Sequence, residues 1–290
     1  MFLPKNLLGA VSGQSRGALG EVLPLIVFAV LVGAAGTGLA AEKRARLLGA
    51  LEITAELMTG IVRLALRLAP FAVPAMIYSV IVRVGADILV ALGLFVAGCA
   101  AVMALHLFGT MSVWLKLLGR TSPLWFFREI RPVLVTAFST SSSSATLPAS
   151  LACARKSLGV RPEVSGFVLS LGATMNMAGT ALYEGCVVLF VAQVFGVELT
   201  LAQQVALVLL SVLSAVAVAG IPGGSLPLIA GLLATFGAPP EGVGIVLGVD
   251  RLLDMLRTTL NVGADLVAAV VVDRRTKGAV AGAESSAVSE

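Results

Sequence analysis

At 290 residues, with 58% hydrophobic and 12% charged side chains, a net charge of +4 and a mean hydropathy of +1.01, the chain falls far outside the composition of soluble domains. That excludes the Rossmann, barrel and sandwich folds of soluble enzymes. Nucleic-acid binding is also a poor account of the basic excess, because Lys and Arg cluster at the ends of apolar runs.

Residues 1–21 are mildly amphipathic, broken by Gly and Pro, and too polar for the apolar region of a signal peptide. Residues 22–41 are uncharged and reach the ~20 residues that cross a hydrocarbon core of ~30 Å. They end at Lys43, Arg44 and Arg46. With basic clusters marking the cytoplasm, this span runs inward. Residues 52–82 run outward, with Arg63 and Arg67 on one face of a long helix. Residues 88–115 hold no Asp, Glu, Lys or Arg and return, past the lone His106, to Lys116, Arg120, Arg128 and Arg131.

Residues 132–154 are apolar enough to span, yet Arg155, Lys156 and Arg161 close the run with a second basic cluster. A single crossing would break the charge rule, so a re-entrant hairpin is expected. Its break falls in the hydroxyl-rich run from Ser139 through Ser144 to Pro148. Such a tip is tolerated in a membrane only where protein or a wet cavity satisfies its backbone.

Residues 164–195 run outward, interrupted by Gly172, Asn176 and Gly179, which weaken the helix and free carbonyl oxygens suited to a hard cation such as Na⁺. Residues 199–240 are uncharged and break at Gly220, Pro222, Gly223 and Gly224, so two spans or a second hairpin both fit. Residues 242–272 close the chain inward. The Ala, Gly, Ser and Glu of residues 276–290 predict a disordered cytoplasmic tail.

The last span carries Asp250, Asp254, Arg257, Thr258, Asn261 and Asp265, which share an arc of roughly 100° on a helix. Ionisable groups inside a membrane helix are expensive unless paired or facing a wet cavity, so this stripe is the prime functional candidate. Asp254 and Arg257 lie one turn apart and could meet the two charges of an amino acid with an extra carboxylate. The guanidinium fork suits that carboxylate. A merely structural i,i+3 ion pair is the plainer account, and it explains little in lipid. Cys99, Cys153 and Cys186 are isolated and have no metal-ligand spacing. A serine protease using His106 fails because the Ser tract lies more than thirty residues away without a nucleophile motif. A channel does not require zwitterion-shaped charge pairing.

On four motifs in register, the chain resembles the dicarboxylate/amino acid:cation symporter family, the glutamate and aspartate transporters. They are the serine tip at 141–148, the Asn176-Met177-Ala178-Gly179-Thr180 break, residues 219–223, and Asp250 to Asp265. The similarity runs to about Arg275. It implies an all-α membrane protein, a multi-span helical transporter of the elevator-type glutamate transporter fold with two oppositely oriented re-entrant hairpins near 122–156 and 199–240. Residues 1–82 would be a partial scaffold and trimerisation region and 83–275 the transport domain. The chain would start inside the family's fourth helix, an N-terminally truncated version of the fold.

The resemblance also implies roles. Asp254 would bind the substrate ammonium and Arg257 its side-chain carboxylate. Ser143, Thr180, Thr258 and Asn261 would hold the remaining polar groups beside the Ile221 backbone. Asp265 and Asn261, with the backbone of Gly172 and Asn176, would hold one Na⁺. Thr174, with carbonyls near Ala215, Val216 and Val218, would hold another. Glu184 matches a protonatable carboxylate. The implied function is import of aspartate or glutamate coupled to Na⁺ or H⁺ by a homotrimer in the cell (inner) membrane, C-terminus cytoplasmic, without enzymatic activity or nucleic-acid partners. A C4-dicarboxylate symporter and a non-transporting fragment or partner of an intact homologue are the alternatives. Two departures stand out. Ala178 replaces an Asp that helps hold a third Na⁺. Ser141 and Met255 occupy positions where relatives carry arginine, which leaves Arg257 to balance Asp254.

Overall fold

A computed structural model describes residues 28, 31–66, 71, 74, 78, 82, 88–216, 218 and 225–287. All regular structure among them is helical. The expectations for residues 1–27, for most of 67–87 and for Ile221 lie outside the described residues.

Helix α1 spans Ala41–Leu66 and carries Lys43, Arg44 and Arg46 in its first turns. A turn at residues 38–40, where Gly38 and Leu39 N–H groups donate to Ala35 and Gly36 carbonyls, directly precedes the basic cluster. Lys, Arg, Ala, Glu and Leu are strong helix formers, and Glu42 pairs with Arg46 at i,i+4 (2.6 Å).

Helices α2 (Ile88–Ala104) and α3 (Met111–Leu117) flank a π-helical turn, Leu105–Thr110, that contains His106. Together, Ile88–Leu117 form one apolar rod of 30 residues. Helices α4 (Pro123–Thr140) and α5 (Ser143–Lys156) pack on each other across a break at Ser141 and Ser142. The hydroxyl-rich run supplies the break chemically. Ser141 takes the left-handed conformation (φ 50°), and Ser142 caps α5 by accepting the Ala145 N–H at 3.2 Å. Thr140 and Thr146 hydroxyls bond across the turn at 3.1 Å.

Helices α6 (Pro162–Met175) and α7 (Ala178–Val194) are halves of one long apolar run, interrupted at Asn176 and Met177. Helices α8 (Leu201–Val216) and α9 (Leu226–Thr235) pack on each other, and the chain closes with α10, Val243–Ala287. Ile88–Leu117, Pro162–Val194 and Pro240–Thr276 are long and apolar enough to cross a membrane. At ~1.5 Å per residue, α5, α8 and α9 reach only ~21, ~24 and ~15 Å, short of a ~30 Å core. α10 continues through the segment read from composition as a disordered tail, because its Ala, Lys and Glu residues favour helix.

α10 is the hub. Its first half packs Ile245, Val246, Leu253 and Leu260 into an apolar cluster with α2, α7, α8 and α9. Its second half packs Val262, Leu266, Val267 and Val270 into another with α3, α4, α5 and α6. Arg161, at the start of α6, anchors the end of α10: its Nε donates to the buried Asp273 carboxylate at 2.7 Å.

Candidate functional site

The α10 stripe is buried along its whole length. Asp250, Asp254, Arg257, Thr258, Asn261 and Asp265 are each at most 8% exposed. Helical periodicity aligns them, and the two apolar clusters bracket them, so among the described residues they meet one another and polar groups of α7, α9 and the break between α6 and α7.

At the N-terminal end of the stripe the charges neutralise one another. Arg257 Nη2 and Nε donate to Asp254 Oδ1 at 2.6 and 3.2 Å. Nη1 donates to the Ser225 hydroxyl, at the start of α9. The Tyr183 ring lies 4.9 Å beneath the guanidinium, a cation–π contact, and its hydroxyl donates to Asp250 at 2.7 Å. One arginine thus sits among two carboxylates, a phenol and a serine, on three helices. Arg257 is the counter-ion of Asp254.

The other end is built differently. Asp265 accepts a hydrogen bond from the Asn176 amide at 2.8 Å and lies against Gly172, where any Cβ would collide with its carboxylate. Asn261 accepts the Gly179 N–H at 2.7 Å, and its amide nitrogen contacts Met177 Sδ (3.2 Å) and Thr180 Oγ1 (3.3 Å). Gly179 is as tightly constrained: a Cβ there would sit 2.6 Å from the Arg257 carbonyl oxygen. The break at Asn176 and Met177 therefore docks edge-on against α10. Gly172, Asn176, Thr180, Asn261 and Asp265 lie together here.

Other expected residues are placed less closely. Ser143 is buried in the first turn of α5, and Thr258 is buried on α10. Thr174 is exposed, and its hydroxyl donates to its own helix at Leu171 (2.9 Å). The Ala215 carbonyl accepts the Val218 N–H at 3.2 Å, and Val216 ends α8, which touches α6. No bond among the described residues joins Thr174 to Ala215, Val216 or Val218. Glu184 is fully buried on α7, beside the α8 face that carries Ser211 and Ser214. The Glu184 carboxylate lies beside the Ser214 hydroxyl, and Ser211 has no hydrogen-bond partner among the described residues. Sequence reasoning missed Tyr183 and Ser225. Both flank recognised motifs, yet neither has a spacing signature linking it to Arg257.

Fold and site together define a helical membrane protein whose buried charges gather at broken helices, the architecture of a membrane transporter. A model of the sodium:dicarboxylate symporter family matches residues 1–275, and the chain belongs to that family. It is 30% identical over 273 residues to a proton/sodium-glutamate symport protein of Bacillus caldotenax, covering 94% of this chain and 63% of that protein. A protein of the same description from Bacillus subtilis (strain 168) is 33% identical over 255 residues, covering 88% of this chain and 59% of that protein. The proton/glutamate-aspartate symporter of Escherichia coli (strain K12) is 30% identical over 272 residues, covering 93% and 60%. The chain spans about three-fifths of the length of these curated relatives.

Proposed function

We propose that the protein is a cation-coupled symporter for an acidic amino acid, aspartate or glutamate, in the cell membrane. The observation that carries this is the pairing of Asp254 with Arg257 at 2.6 Å, fully inside the protein and in line with Asn261 and Asp265. A zwitterion with a second carboxylate can exchange for that pair charge by charge, its ammonium on Asp254 and its distal carboxylate on Arg257. Neither group is then left unpaired in a low dielectric, where an uncompensated charge is strongly destabilising. Ser143, Thr180 and Thr258 complete the substrate shell. A C4-dicarboxylate offers no cation to Asp254 and suits the site less well.

Na⁺ is the coupled ion in this reading. Asp265 and Asn261, with carbonyls of the Gly172–Asn176 break, supply the oxygen donors a hard cation requires. Thr174, with carbonyls at Ala215, Val216 and Val218, forms a second site, and Glu184 carries a proton. Ala178 lacks the carboxylate of a third site. The short helices α5, α8 and α9 support two re-entrant hairpins, α4–α5 and α8–α9, entering from opposite sides. The basic clusters at Arg155, Lys156, Arg274 and Arg275 support a cytoplasmic C-terminus. The family relation supports an elevator motion of residues 83–275 within a homotrimer, with residues 1–82 contributing to the scaffold.

Radiolabelled aspartate uptake into proteoliposomes, with and without an inward Na⁺ gradient, tests the proposal. Gradient-driven accumulation competed by glutamate is expected. Equal uptake with and without the gradient, or competition by succinate alone, would overturn it.

A further inference from the structure

Ser225 opens α9 at its N-cap position, where serine ordinarily accepts a hydrogen bond from its own helix. Here the hydroxyl makes no cap bond. Fully buried, it turns instead to α10 and accepts from Arg257 Nη1. Capping does not explain the residue.

The donors of Arg257 can be followed one by one. A guanidinium has five N–H groups in two forks. The Nε–Nη2 fork faces Asp254. Nη1 spends one hydrogen on Ser225, and Tyr183 covers one ring face. Among the described residues, one N–H on each of Nη1 and Nη2 has no acceptor. A hydroxyl can accept and donate together. Ser225 Oγ is an acceptor for Arg257, and it donates to no group among the described residues, so its proton is also left to give. Those three donors belong to Arg257 and to the hydroxyl bonded to its Nη1, and Arg257 is the group to which the reading above assigns the distal carboxylate of the substrate.

We propose that Ser225 is a specificity-determining residue: accepting from Arg257 and donating to the substrate's distal carboxylate, it makes the site select an anionic side chain over the isosteric amide. A carboxylate has two acceptor oxygens for the three donors. An amide has one, and its NH₂ would face donors that it cannot satisfy. Sites built of hydrogen-bonding groups discriminate strongly against such mismatches. Because Ser225 belongs to the second hairpin and Arg257 to α10, this selection also requires the two elements to be docked.

The inference rests on the acidic amino acid reading, and the experiment separates the two. Binding of radiolabelled L-aspartate to the full chain in lipid nanodiscs with saturating Na⁺ is competed with L-glutamate, L-asparagine and L-serine, for the wild type and for S225A, S225G and S225T. The expected result is that S225A and S225G weaken aspartate binding by about ten- to a hundred-fold, the range for a hydrogen bond to a charged group. Asparagine and serine should change by less than about threefold, and S225T, which keeps the hydroxyl, should retain the preference. Equal aspartate-to-asparagine selectivity in the wild type and the well-folded S225A variant overturns the role of Ser225 while leaving the acidic reading intact. A wild type that binds no acidic amino acid overturns that reading, and this inference with it. If S225A and S225G both fail to fold, Ser225 is a structural residue and the inference is overturned.

Discussion

The two ends of the α10 stripe hold buried carboxylates in opposite ways. Asp254 lies 2.6 Å from a guanidinium on its own helix, so its charge is answered by a formal opposite charge. Asp265 has the Asn176 amide at 2.8 Å, and no Lys or Arg pairs with it among the described residues. An amide dipole does not neutralise a carboxylate in a medium where an isolated ion is very costly. The first arrangement suits exchange with a ligand that carries both signs. The second suits a monovalent cation. The two carboxylates, about three turns apart on one helix, thus differ in the nature of their partners.

The largest test of this contrast is Arg257→Ala. It removes the carboxylate receptor and leaves Asp254 buried without a cation, so aspartate uptake should fall by at least about a hundred-fold, and stability by about 3–5 kcal/mol. Adding Asp254→Asn should restore stability in thermal unfolding but not uptake. Uptake retained in the single variant would end the substrate assignment. At the other end, Asp265→Asn is isosteric and should leave folding intact while weakening Na⁺ activation of aspartate binding by about ten-fold or more. An unchanged Na⁺ titration would break the comparison.

Gly179→Ala sharpens it by striking between the ends. The new methyl would meet the Arg257 carbonyl, which is backbone and cannot swing aside, so a loss of about 1–3 kcal/mol in unfolding free energy is expected. Gly172→Ala would press on the Asp265 side chain, and its effect should appear in the Na⁺ dependence rather than in aspartate selectivity. The smallest expected effect is that of Glu184→Gln. It substitutes a permanently neutral group for a titratable one and should flatten the pH dependence of uptake, without changing aspartate affinity by more than about twofold. A pH profile identical to wild type would remove Glu184 from proton coupling.

Much of this was legible without coordinates. The serine-rich run breaks at Ser141 and Ser142 because hydroxyl side chains compete for backbone bonds and cap the following helix. Asn176 interrupts α6 and α7 as its position among glycines predicts. Ser225 and Tyr183 were invisible: each reaches Arg257 only because α9 and α7 cross α10 there, and no linear spacing encodes a crossing.

The sequence by itself determined that the protein is helical and membrane-embedded, where its helices break, and which face of α10 carries the polar groups. Those are consequences of hydropathy, propensity and the 3.6-residue period, all local. Only the tertiary structure decided which group answers each buried charge. Arg257 turns to Asp254 and Ser225, and Asp265 turns to Asn176. In a low-dielectric interior the character of a charged group is set by its nearest partners, and those partners come from helices far apart in the chain.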